Sequence, residues 1–184
     1  MYVCARFGGQ VIDNLVIQPI YVGSNVRVTD QLTKFYKAVV TGNFMNFLSQ
    51  EYSTPKQKIS TAGTARDPVF VTDGIGSTIT QTQIESRLTV MINAGLIPKP
   101  NDNILYALHF APGVGVSMND GSQSCNVGGS WCGIHGGYYY VDGSTKLHAY
   151  YQLLPDFSLQ YSSSCYWGCG TTTSVESEKV RVYC

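Results

Sequence analysis

Six cysteines and three histidines are the residues in this chain best equipped for chemistry, and most of the cysteines crowd into its last third. Two close pairs stand out. Cys125 and Cys132 flank Asn-Val-Gly-Gly-Ser-Trp131, and Cys165 and Cys169 flank Tyr-Trp167-Gly. Thiols this near to one another either bridge or hold a metal. Cys165-x-x-x-Cys169 has the spacing of a zinc pair, whereas Cys125 and Cys132 are seven apart and do not. Disulfides Cys125–Cys132 and Cys165–Cys169 are the leading reading, with zinc or free thiols as the others. Loops so short would stabilise by less than the ~3 kcal/mol of a 15-residue loop, so such bridges would mainly fix loop shape.

His135 follows Cys132 by three residues, between Ile134 and Gly136. Its ring could ligate a metal or act as a base near neutral pH. The plainer reading is a loop histidine bonded to backbone carbonyls. His109 falls in an apolar strand pattern, and His148 opens another without an acidic neighbour. A zinc site built from His135, His148 and a carboxylate has no motif behind it. No Gly-x-Ser-x-Gly elbow is present, Gly113-Val-Gly115 is not followed by a helix pattern, and no acids form a spaced catalytic pair. No catalytic residue is therefore assigned and no cofactor is expected, zinc being the alternative. The C-terminal third also gathers Trp131, Tyr138, Tyr139, Tyr140, Tyr150, Tyr151, Tyr166 and Trp167. Strand alternation sends half of such side chains to each face. Trp131, Tyr139, Tyr151 and Trp167 are the candidates for a surface that stacks on carbohydrate, against the competing reading of ordinary core packing.

The elements that must position these groups follow from periodicity. Residues 11–22 read as a long first strand in which Pro19 denies one ladder bond and so belongs at a bulge or an edge. Leu32, Phe35, Tyr36, Val39 and Val40 recur at helical spacing after an N-cap at Thr29, and Gly42 stops that helix. Phe44, Phe47 and Leu48 make a further helical turn. A short strand is expected at 69–72. Thr80-Gln-Thr-Gln83 is a capping box for a helix through Ile84, Leu88, Met91 and Ile92, ending at Gly95. Strands follow at 104–110, 136–141 and 148–154, the last two joined through an Asp142-Gly143 turn. The fold class is α/β: one domain over 1–184, a mixed sheet with packed helices, the helix at 30–41 a crossover, and Cys/Gly-rich loops near the C-terminus. The chain of 184 residues suffices for one core. Lys and Arg balance Asp and Glu at 12 each, so nothing electrostatic favours nucleic acid or an anionic membrane. Only 13% of residues are charged, against about 25% in typical domains, so surface polarity rests on Ser, Thr, Asn, Gln and Tyr. No apolar run is long enough to span a membrane.

Several segments in this order resemble the EXORDIUM-like (phosphate-induced) proteins and their microbial relatives. They are Gly8-Gly-Gln-Val-Ile12, Pro19-Ile-Tyr-Val-Gly23, Phe47-Leu-Ser-Gln-Glu-Tyr-Ser53, the helix and Leu-Ile-Pro stretch at 84–98, Asn103-Ile-Leu-Tyr106 and Cys132-Gly-Ile-His-Gly136. The resemblance covers most of residues 8–170, and 171–184 form an atypical tail. It implies a secreted, extracellular protein acting at the cell wall or matrix, with carbohydrate or protein as partner. Residues 1–7 lack the basic start and apolar run of a signal sequence, which sits awkwardly with that implication. Microbial relatives continue into a segment like the zinc helix of a metallopeptidase. Here Ser174-Val-Glu-Ser-Glu178 stands in its place with no histidine. The expectation is a chain truncated relative to the family, lacking its last helix and without catalysis in this form. The alternatives are an incomplete zinc metallopeptidase-like hydrolase and a carbohydrate-binding module.

Overall fold

The computed structural model describes residues 11–124 and 131–156, and the fold follows from how the apolar stretches pair. The first strand, β1 (Val16–Val22), is buried almost throughout. It leads into helix α1 (Thr29–Thr41) and then α2 (Asn43–Tyr52). Two short strands, β2 (Thr64–Ala65) and β3 (Val69–Val71), come back parallel to β1 along one of its edges. Strand β4 (Thr78–Thr80) runs straight into α3 (Gln81–Asn93). Strand β5 (Ile104–Phe110) pairs parallel with the other edge of β1. After β6 (Gly115–Ser117), which pairs with β4, a hairpin of β7 (Ile134–Asp142) and β8 (Thr145–Leu154) completes the sheet. β8 lies parallel to β5, and β7 is antiparallel at the edge. The order is β2-β1-β5-β8-β7, with β3 beside β1 next to β2. The fold is α/β with a mixed sheet, as the alternation of strand and helix patterns predicts.

Crossovers to opposite sides put α1 on one face of the sheet and α3 on the other. The α3 face holds the larger core: Ile20 and Val22 from β1, Tyr106, Leu108 and Phe110 from β5, and Ala149, Tyr151 and Leu153 from β8 meet Ile84, Leu88 and Met91. Burying each such aliphatic or aromatic side chain contributes roughly 1.5–3 kcal/mol. Under α1 the core is smaller, built on Ile17, Tyr36, Val40 and Ala107. α1 stands over β2 and β1 and reaches β5 through Tyr36, and no described helix covers β7 and β8 on that side.

Pro19 is found in a central strand, not at an edge. The missing N–H costs nothing there, because Pro19 faces the gap between β2, which stops at Ala65, and β3, which starts at Val69. Gln18, 2% exposed, fills that gap. Its amide donates to the carbonyls of Pro19 and Asp67, and its oxygen accepts from Arg66 Nε at 3.1 Å. The first strand is also shorter than expected, since residues 11–15 lie outside it. Thr29 is the first helical residue, not the cap; that position falls to Val28, in the left-handed region at φ 51° with no side-chain cap bond. The α3 capping box forms as expected: Thr80 Oγ1 accepts from Gln83 N at 3.2 Å and Gln83 Oε1 from Thr80 N at 2.8 Å. Gly95, at φ 70°, closes the helix.

Candidate functional site

Strand alternation divides the aromatic residues of the hairpin cleanly. Tyr138, Tyr140 and Tyr151 point to the α3 face. Tyr139, His148 and Tyr150 point to the uncovered face. The pairing that follows from the Asp142–Thr145 turn sets Tyr139 opposite His148 and Gly137 opposite Tyr150.

On the covered face, α3 offers one polar stripe at i, i+4 spacing, and each member meets a tyrosine hydroxyl. Gln81 Nε2 donates to Tyr151 Oη at 3.0 Å, and Tyr151 Oη donates to Glu85 Oε1 at 3.1 Å. Thr89 Oγ1 bonds Tyr138 Oη at 3.1 Å, and Tyr140 Oη donates to Asn93 Oδ1 at 2.7 Å. Burial, with the Glu85 carboxylate beside it, pushes the Tyr151 hydroxyl up to about 12, so it stays a proton donor. The ring of Tyr151 lies across Gly136, where a Cβ would meet ring atoms at 3.0 Å. Tyr151 is wholly buried, so its place is in the core and not on an open binding surface.

The uncovered face is different. Tyr139 is 67% exposed and Val141 60%. The His148 ring packs 5.2 Å from Tyr139 and 4.2 Å from Tyr150, edge-on to the latter. It also lies over Gly137, where a Cβ would come within 2.9 Å of His148 Nε2 and of the Ala149 carbonyl. Glycine at 137 leaves the room in which the histidine sits between its two tyrosines. His135 is exposed on this same face, opposite Gln152. The result is a row of packed rings whose exposed member is Tyr139, with polar groups at its rim. Such a surface is apolar on the ring faces and hydrogen-bonding at the edges.

Other sequence candidates scatter. Trp131 is half-buried against the main core, and its Nε1 is sealed from solvent without a hydrogen-bond partner among the described residues. It does not share a surface with Tyr139. Cys132 is disulfide-bonded, and the cysteine it meets lies outside the described residues. Cys125, Cys165, Cys169 and Trp167 lie outside them too, as does the tail from 171. Among the described residues no three His, Cys, Asp or Glu side chains converge as a metal site would need. His109 sits beneath α1, where Tyr36 Oη is 2.6 Å from its Nε2. Burial depresses its basicity to about 4 and raises that of the Tyr36 phenolate, so both groups are neutral. The pair fastens α1 to the sheet. A surface depression of about 510 Å³ lies between α1 and β2, lined by Lys37, Thr41 and Thr64 among others.

No protein-family model, curated protein or solved structure matches this chain. The described helices include none long and apolar enough to cross a membrane.

Sequence reasoning named Tyr139 but passed over His148 and Tyr150 as its partners. The turn signal in the sequence was one residue out of place. A two-residue loop fixes the hairpin register, but the loop is Gly143-Ser144, closed by Asp142 and Thr145; Asp142-Gly143 as the loop would have set Tyr139 against Lys146 instead of His148.

Proposed function

We propose that this chain is a non-catalytic, extracellular interaction domain of EXORDIUM-like type, whose uncovered hairpin face engages polysaccharide of the cell wall or matrix. One observation carries the reading: Tyr139, 67% exposed, heads a row of packed rings on sheet surface that no described helix covers. Exposed aromatic rings edged by hydroxyl, imidazole and amide groups suit sugars, which are apolar on ring faces and polar around them. Few charges and no net charge fit a partner recognised by stacking and hydrogen bonds instead of ion pairs. A low charge content also leaves little for a strongly charged partner to grip. Disulfides Cys125–Cys132 and Cys165–Cys169 belong to the same reading, since oxidised cysteines accompany secretion. The test is retention of the full chain on a panel of insoluble polysaccharides, with cellulose, chitin, xylan and pectin as separate arms. Retention on at least one, with release by its soluble oligosaccharide, supports the proposal. Absence from all four contradicts it.

A further inference from the structure

The hairpin carries a second feature, on its edge instead of its face. β7 is nine residues long and ends the strand order, with β8 as its one neighbour among the described residues. An open strand edge is a template for further pairing, and proteins that stay monomeric blunt it with proline, lysine or glutamate. Between Ile134 and Val141 there is no proline and no Lys, Arg, Asp or Glu. Two adjacent glycines, Gly136 and Gly137, thin the strand's side chains at its centre.

Which backbone groups face outward follows from the turn. Asp142 and Thr145 close a two-residue loop with Gly143 at φ 62°. The closing pair of such a loop is hydrogen-bonded, and bonded positions then alternate along the strand. Asp142, Tyr140, Tyr138 and Gly136 thus bond inward to β8. His135, Gly137, Tyr139 and Val141 direct their N–H and C=O groups outward.

We infer that β7 pairs antiparallel with β7 of a second copy of this chain, about a two-fold axis at Tyr138. That register engages every outward residue: Gly137 exchanges bonds with Tyr139 of the other copy, and His135 with Val141. It is isologous, as a closed dimer requires. It sets the small Gly137 beside the large Tyr139 and the small Gly136 beside Tyr140, and it opposes no like charges. A second copy is the occupant this edge suits, because its own sequence supplies a glycine opposite each of Tyr139 and Tyr140 and no charge in between. The two aromatic faces would then lie side by side on one continuous sheet. Nine residues a side is far below the roughly 20–30 of a standard interface, so the association is concentration-dependent, not obligate.

Sedimentation equilibrium of the oxidised full chain at pH 8, across a wide concentration range, reads this directly. The expected result is a monomer–dimer equilibrium. Val141→Lys places a charge at the edge opposite His135 and should weaken dimerisation by about tenfold. His135→Glu combined with Val141→Lys sets Glu against Lys in both symmetric pairs and should restore the wild-type constant to within about threefold. Circular dichroism and the thermal midpoint confirm that each variant is folded; should Val141→Lys fail to fold, Val141→Thr against wild type replaces it, with unchanged dimerisation expected. A chain that stays monomeric at every concentration overturns the inference. So does a dimer indifferent to Val141→Lys, or one that the double variant fails to restore, or growth past the dimer.

Discussion

At the scale of single residues, His109 is the group whose chemistry most directly reports on the fold. Its imidazole is buried and neutral, with the folded value lowered from 6.5 to about 4 by desolvation. The unfolded chain therefore binds the proton more readily between those values. The stabilisation is complete above pH 6.5 and is lost progressively as pH falls toward 4. One unit is worth 1.36 kcal/mol, so the loss by pH 5 is about 2 kcal/mol. Urea unfolding at pH 7.5 and pH 5 should show wild type losing about that much more stability than His109→Gln, which keeps an acceptor for Tyr36 but does not titrate. Parallel losses in the two proteins would mean that His109 is solvated. The cysteines give a second residue-scale prediction. Peptide mapping without reductant should recover Cys125 joined to Cys132 and Cys165 joined to Cys169. Cys132 joined to any other cysteine would refute that pairing.

At the scale of elements, much was legible because the signals were local. The capping box Thr80-Gln-Thr-Gln83 and the glycine at 95 each fix backbone over a few residues and sit where the pattern places them, whereas the hairpin loop is Gly143-Ser144, one residue on from the expected Asp142-Gly143. Thr80→Ala should cost α3, and with it the domain, about 1 kcal/mol in chemical denaturation, while Thr80→Ser should cost little. An unchanged midpoint for Thr80→Ala would show that tertiary packing alone holds the helix start. What sequence could not supply was long-range. Pro19 reads as an edge signal, because nothing local reveals that β2 and β3 are separate strands with Gln18 filling the break between them. The tyrosine hydroxyls on Gln81, Glu85, Thr89 and Asn93 become visible only once hairpin and helix are docked. Tyr139 and Tyr151 looked alike as candidates, since alternation says that faces differ but not which face a helix covers.

On the scale of the whole molecule, the asymmetry of the sheet matters most. Both α1 and α3 pack on it, but α1 lies over β2 and β1 and reaches β5 through Tyr36, so no described helix covers β7 and β8 on that face, where Tyr139 is exposed. Exposed aromatic surface of this kind marks a place of contact in a folded protein. The central claim is that Tyr139 makes that contact with polysaccharide. Phe70 offers an internal control, because it is 61% exposed on β3, across the sheet from the hairpin. The decisive measurement compares the affinity of wild type, Tyr139→Ala and Phe70→Ala for the polysaccharide that retains the protein. A stacked ring contributes on the order of 1–2 kcal/mol, so Tyr139→Ala should weaken binding by roughly tenfold while Phe70→Ala leaves it unchanged. Equal affinities for all three folded proteins, or a loss confined to Phe70→Ala, would contradict the account.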